Sequence, residues 1–120
     1  MNAEKFLHFL RKKAESYNQQ DKNKGRLYYC EKYECWNVKP LDAEDILKLL
    51  HKMGTRCYYC GRMLIYKSHI KFKNSLLTLD RIDNTLSHTI NNCLIACYLC
   101  NTMRGNAFTS EHFKEIKHRT

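Results

Sequence analysis

Apolar residues recur at helical spacing near the start of the chain. Phe6, Leu7 and Leu10, continued by Ala14 and Tyr17, predict an amphipathic helix over residues 3–19. Polar residues from Asn18 onward interrupt the stripe, and Gly25 supplies a stop. Residues 26–38 mix aromatic and other side chains without a clear period and read as a connector, helical in part, ended by Pro40. A second helix opens at Asp42, a capping residue with Asp45 three positions on. Its buried face is Ile46, Leu47, Leu49, Leu50 and Met53, and Gly54 ends it. Residues 57–66, CYYCGRMLIY, run from a tight turn into a predicted strand, and a basic irregular stretch covers 67–74. In 76–80, Leu77 and Leu79 face one way and Thr78 and Asp80 the other, the period of a strand. Turn residues dominate 81–92: Asp83-Asn84, Ser87 and Asn91-Asn92. Residues 93–96 predict a second short strand, and a helix starts after Cys97. Thr109 or Ser110 caps a last helix with Phe113 and Ile116 facing inward. The elements add up to a small α+β fold, with a basic N-terminal helix and connector over 1–40 and a core over 41–120.

Composition narrows the class. The chain has 120 residues, one domain's worth, and 43% hydrophobic residues, enough for a small core. No apolar run approaches the roughly 20 residues that span a bilayer, and the first residues carry no signal-peptide pattern. The expectation is a soluble intracellular protein that is not secreted and has no membrane partner. Lys and Arg number 21 against 12 Asp and Glu, a formal charge of +9, which attracts polyanions and above all nucleic acid.

Seven cysteines without a secretory signal point to metal rather than disulfides. Cys57-x-x-Cys60 and Cys97-x-x-Cys100 form two pairs, and four thiolates at this spacing suit a closed, structural Zn²⁺ site. Gly61 lets the chain curl behind the first pair. Cys93 reads as a small buried side chain on a strand, and Cys30 and Cys35 as free thiols.

Between and after the pairs lie hard oxygen donors. Two strands and a helix clasped by the cysteines would bring Asp80 and Asn101 together, one carboxylate and one carboxamide, suited to Mg²⁺ or a similar hydrated cation. Arg104 shares a helix face with Asn101 and would reach a phosphate there.

Cys57/Cys60, Asp80, Asn92, Cys97/Cys100, Asn101 and Arg104 together give a pattern that resembles the zinc-containing HNH, or ββα-metal, endonucleases, in a DRID-type variant. The resemblance covers roughly residues 41 to 118. It implies a zinc-stapled, treble-clef-like ββα-metal core with flanking helices, a structural Zn²⁺, a catalytic Mg²⁺ or Mn²⁺ on Asp80 and Asn101, and phosphodiester hydrolysis. Asn92 would orient a catalytic group or the loop backbone, and Arg81 and Arg104 would clamp phosphate. The chain departs from the family at Arg81, where the usual general base is a histidine; arginine stays protonated and accepts no proton. Asp83, His88 and hydroxide are the alternatives for that role.

Lys67, Lys71 and Lys73 around His69, with Lys12, Lys13, Lys22, Lys24 and Arg26 upstream, would contact the phosphates of DNA, a merely solvated face being the alternative for the lysines; packing is the leading role for Tyr28, Tyr29, Tyr33 and Trp36, ahead of base stacking. Two further readings stand beside a DNA endonuclease. One is a noncatalytic zinc module that binds nucleic acid or protein; the other is an RNA-cutting enzyme of the same architecture. Monomer and homodimer are both open.

Overall fold

In a computed structural model, residues 3–27, 29–30, 35–36, 39–66, 70–105 and 108–119 are described. The order is α1 (Ala3–Lys24), β1 (Tyr29–Cys30), β2 (Cys35–Trp36), α2 (Ala43–Met53), a 3-10 segment (Ile70–Ser75), β3 (Leu77–Arg81), β4 (Cys93–Cys97), α3 (Tyr98–Arg104) and α4 (Ser110–Arg119). The fold is α+β.

The centre is the antiparallel β3–β4 pair, with Leu77 opposite Cys97 and Arg81 opposite Cys93. Its two faces bury different layers, as the period of two requires. Leu77, Leu79, Cys93 and Ile95 pack with Leu10, Ala14 and Tyr17 of α1 and with Ile46 and Leu49 of α2. Ala96 packs instead with Cys57, Tyr59, Cys100 and Phe113, the last from α4, and Cys97, where β4 gives way to α3, joins that layer as well. Thr78 and Asp80 therefore point at α3, the placement their alternation with Leu77 and Leu79 predicted. Cys93 is buried in the first layer.

The second helix has the predicted cap. Asp45 N–H donates to the Asp42 side chain at 2.9 Å and Asp42 N–H to the Asp45 side chain at 3.1 Å, a reciprocal capping box. Lys39 bridges both carboxylates at 2.6 and 2.8 Å.

Three expectations change. The first helix runs five residues past the predicted end to Lys24, and Gly25, at φ 62°, stops it. Polar residues 18–24 continue the helix because they cover a solvated face, while Asp21 alone among residues 18–24 is buried. The strand predicted after the first cysteine pair does not form. Met63 makes one antiparallel bridge to Arg56 and Ile65 one parallel bridge to Leu76, so the run never pairs twice in succession with one partner. The connector contains a two-residue hairpin, with Tyr29 opposite Trp36 and Cys30 opposite Cys35. Lys67, His69, Tyr28 and Tyr33, and the side chains of Tyr29, Cys30, Cys35, Trp36 and Lys71, lie outside the described residues.

Helix α1 is also bonded to the centre. The Leu79 backbone N–H donates to the Tyr17 hydroxyl at 3.0 Å, which satisfies an edge-strand donor of β3. Just after the helix, Leu27 bridges Leu86, and Ser87 N–H donates to the Leu27 carbonyl at 2.9 Å.

Candidate metal centre and active-site cavity

The sulfur atoms of Cys57, Cys60, Cys97 and Cys100 lie within 4.8 Å of one another. A tetrahedron of Zn–S bonds near 2.3 Å puts sulfurs about 3.8 Å apart. Cys60 and Cys97 are already at 3.9 Å, so the cluster fits such an ion with slight contraction. The first turn is built for it. Gly61, at φ 76°, donates its N–H to the Cys57 carbonyl at 3.0 Å, and Tyr59 N–H points at the Cys57 sulfur at 3.4 Å. Cys97 caps α3, its sulfur accepting from Cys100 N–H at 3.4 Å. Without a cation the thiols divide. A hydrogen bond from Cys97 draws Cys57 down to about 4, whereas burial, with the neighbouring sulfurs, pushes Cys100 up to about 12. Four close cysteines of this kind could hold a metal such as zinc.

Asp80, the penultimate residue of β3, lies on the α3 side and is 4% exposed. One carboxylate oxygen accepts from the Tyr59 hydroxyl and the other from Arg104 Nη1 at 2.5 Å. Burial pushes the Asp80 carboxyl up, opposed by Tyr59 and Arg104, and burial also raises the Tyr59 phenol, which stays a donor. Tyr59 was not among the residues the sequence singled out; its one signal is an aromatic inside the first Cys-x-x-Cys.

Arg104, 1% exposed, directs its guanidinium inward. Nη1 also donates to the Arg81 carbonyl at 2.8 Å, Nη2 to Ile82 at 3.2 Å and Nε to Phe108 at 3.1 Å. A buried guanidinium needs a counter-charge and acceptors for its fork, and Asp80 with three carbonyls supplies them. In this arrangement it holds Asp80 and the end of β3 rather than facing a phosphate. Arg81 is half-buried, and its Nη1 donates to the carbonyls of Asn84 and Leu86, bracing the loop after β3.

Asn92 closes the same loop. Its side-chain oxygen accepts from Asp83 N–H at 2.9 Å, and Nδ2 donates to the carbonyls of Asp83 at 3.1 Å and Ser87 at 2.9 Å. Asn101 donates through Nδ2 to Thr78 Oγ1 at 3.1 Å and the Leu79 carbonyl at 3.2 Å, so Oδ1 is its remaining acceptor. Asp83 forms an Asx turn, accepting from Thr85 N–H at 2.9 Å and Thr85 Oγ1 at 2.6 Å, bonds that hold its carboxyl below the usual range.

His88 is 4% exposed and neutral in its surroundings: burial, with Arg81 and Arg26 nearby, pulls its pKa down to about 4 against the pull of Asp21. A cavity of about 170 Å³ brings together Asp80, Asn101, Arg81 and His88 from the core with Tyr17 of α1 and with Arg26, just beyond it. Asp83 is not on it. Asp80 is the one carboxylate on the cavity, beside the carboxamides of Asn101, Gln20 and Asn84; Asp80 with Asn101 makes a hard oxygen pair of the kind that suits a hydrated divalent cation, with Asp80 sharing its charge with Arg104.

The lowered His88 value makes a stability prediction. The unfolded histidine binds a proton near pH 6.5 and the folded one near 4, so its contribution is complete above about 6.5 and is lost as pH falls toward 4. Between pH 7 and 5 the loss is about 2 kcal/mol. Denaturant unfolding at both values should show this difference in the native chain and a smaller one in His88→Gln; equal differences would reject the assignment.

No protein-family profile matches the chain. A 65-residue stretch is 36% identical to Uncharacterized protein R423 of Acanthamoeba polyphaga mimivirus; it spans 54% of this chain and 10% of that protein. Among solved structures, the fold is similar to the rare-cutting HNH restriction endonuclease PacI, with a TM-score of 0.58 and 17% identity over 88% of this chain and 71% of that one. The β3–β4 pair, the helix behind it and the cysteine cluster thus form a small α+β fold similar to that of an HNH endonuclease.

Proposed function

We propose that the chain is a metal-dependent endonuclease that hydrolyses phosphodiester bonds in DNA. The carrying observation is the convergence of Asp80, Asn101 and His88 on one polar cavity in a fold of HNH type. Zn²⁺ on the four cysteines is structural in this reading, since all four positions of the tetrahedron are taken by protein. Asp80 and Asn101 would hold a Mg²⁺ or Mn²⁺ ion, whose chemistry is to stabilise the negative charge that grows on phosphate oxygens. The chain's own residues do the rest. Arg104 pairs with Asp80 and aims it, Asn92 and Arg81 set the loop that carries His88, and His88 accepts a proton from the attacking water. His88 rather than Asp83 takes that role because it lines the cavity, whereas Asp83 is turned into its own Asx turn. DNA is favoured by the charge of +9. Lys73 lies beside the core with its ammonium over the ring of Tyr98, the first residue of α3, at 4.7 Å.

A noncatalytic nucleic-acid-binding module is favoured by one observation: both Asp80 oxygens are already engaged, by Tyr59 and Arg104. Supercoiled plasmid separates the readings. The nuclease nicks it with Mg²⁺ or Mn²⁺, and EDTA stops the reaction. The module binds duplex and leaves it intact with either metal. In both cases affinity should fall linearly on a log–log plot against salt. Affinity that stays flat from low to moderate salt would remove the phosphate role of the lysines.

A further inference from the structure

We propose that Asp21, on helix α1, is a positioning residue for His88, fixing the imidazole as its Nδ1–H tautomer so that Nε2 is the proton acceptor of the Asp80/Asn101 cavity. The proposal rests on the nuclease reading and adds to it a residue from outside the segment that carries the HNH pattern.

Asp21 is fully buried, although residues 19, 20 and 22–25 around it are exposed. A carboxylate withdrawn from water within a solvated stretch needs compensation. It finds it in His88 and Arg26: Oδ2 accepts from His88 N–H at 2.8 Å, Oδ1 accepts from Arg26 Nη1 at 3.1 Å, and His88 Nδ1 lies 2.9 Å from Oδ1 and 3.1 Å from Oδ2. The backbone bond and the Arg26 pair would tie α1 to the loop by themselves. The bond to Nδ1 does something more. A carboxylate paired with a guanidinium only accepts, so in the neutral imidazole the hydrogen is on Nδ1 and the lone pair on Nε2. Tyr17 stacks on the ring at 4.3 Å between centroids and 29° between planes, so its rotation is limited as well.

The charged and titratable groups facing the ring are Tyr17 and Asp21 from α1, Arg26 beyond it and Arg81 from β3. Burial, helped by the two arginines, keeps the imidazole neutral, and Asp21 stabilises the imidazolium once it forms. In the step itself, the water oxygen forms a bond to phosphorus and its proton passes to Nε2. The bond from phosphorus to the 3′-oxygen breaks, its electron pair stays on that oxygen, and a solvent proton neutralises it. His88 then returns its proton to solvent.

The test combines plasmid nicking with ¹⁵N–¹H imidazole NMR of the whole zinc-loaded chain. In the native protein, His88 is expected as the Nδ1–H tautomer. Asp21→Asn, which keeps the side chain's shape, should lower kcat at pH 7 at least about 10-fold with KM nearly unchanged, and should alter the pH profile; Asp21→Glu should recover part of the rate. A native His88 carrying its hydrogen on Nε2 overturns the proposal whatever the variants do. So does a folded Asp21→Asn that keeps the native kcat and pH profile while the native chain cuts; the nuclease reading then survives. A native chain that binds duplex and never cuts removes both.

Discussion

Removing the metal from the Cys57/Cys60/Cys97/Cys100 cluster should unfold the domain. The second buried layer is small, and three of its six fully buried members are cluster cysteines. The cluster also joins the turn at residues 57–61 to the start of α3, which carries Asn101 and Arg104. Structural zinc sites contribute apparent binding energies of about 10–16 kcal/mol, comparable with or larger than the total stability of a typical domain, about 5–15 kcal/mol. Without the cation, deprotonated sulfurs would repel at these separations and protonated ones would leave the layer loosely packed. Chelation in reducing buffer should therefore abolish the cooperative thermal transition and the helical circular dichroism, and Cys97→Ser should give insoluble or unfolded protein. Elemental analysis of the native chain should find one zinc per chain. A metal-free chain that still melts cooperatively would show that the apolar layers suffice, and the cluster would lose its structural role.

The second large effect is expected at Asp80 and Arg104. The pair is buried on both sides, at 4% and 1% exposure, so removing one partner leaves an uncompensated charge. Such losses cost about 3–5 kcal/mol. Arg104→Ala should be the more damaging single change, because it also strips donors from the carbonyls of Arg81, Ile82 and Phe108. A double change, Asp80→Leu with Arg104→Met, should destabilise less than the sum of the two single changes, the signature of a coupled pair. Denaturant unfolding of the four proteins measures it, and additive losses would refute the coupling. The consequence for activity is direct. Asp80→Ala confounds stability with chemistry, whereas Asp80→Asn keeps a hydrogen-bonding side chain in place while removing the charge. Under the proposed function, Asp80→Asn should lose at least about 10²–10³-fold in nicking rate at a temperature where it stays folded. Native-like cutting by a folded Asp80→Asn would exclude the carboxylate as a cation ligand.

Much of this was legible along the chain. The cysteine pairs, the cap and apolar face of α2, and the alternation that turns Asp80 away from Leu77 and Leu79 are local patterns with fixed periods. The backbone geometry of helix, strand and turn dictates them within a few residues. The end of α1 lies beyond its apolar stripe, because loss of such a stripe signals a solvated helix as readily as a broken one. The strand predicted after the first cysteine pair does not form because an apolar run does not say whether a partner strand runs beside it.

What the tertiary structure decided lies in contacts between distant residues. His88 reaches Asp21 across 67 positions, Arg104 reaches Asp80 across 24, and Tyr59 reaches Asp80 across 21. The sequence by itself determined which side chains carry charge, sulfur or a titrating ring, and the pairing of cysteines that gathers them. It did not determine whether Arg104 faces phosphate or carboxylate, or that a helix outside the HNH pattern completes the cavity. Those outcomes follow from burial: once α1 and α3 cover the β3–β4 pair, a charged group left inside needs a partner there, and the partner is set by packing rather than by sequence separation.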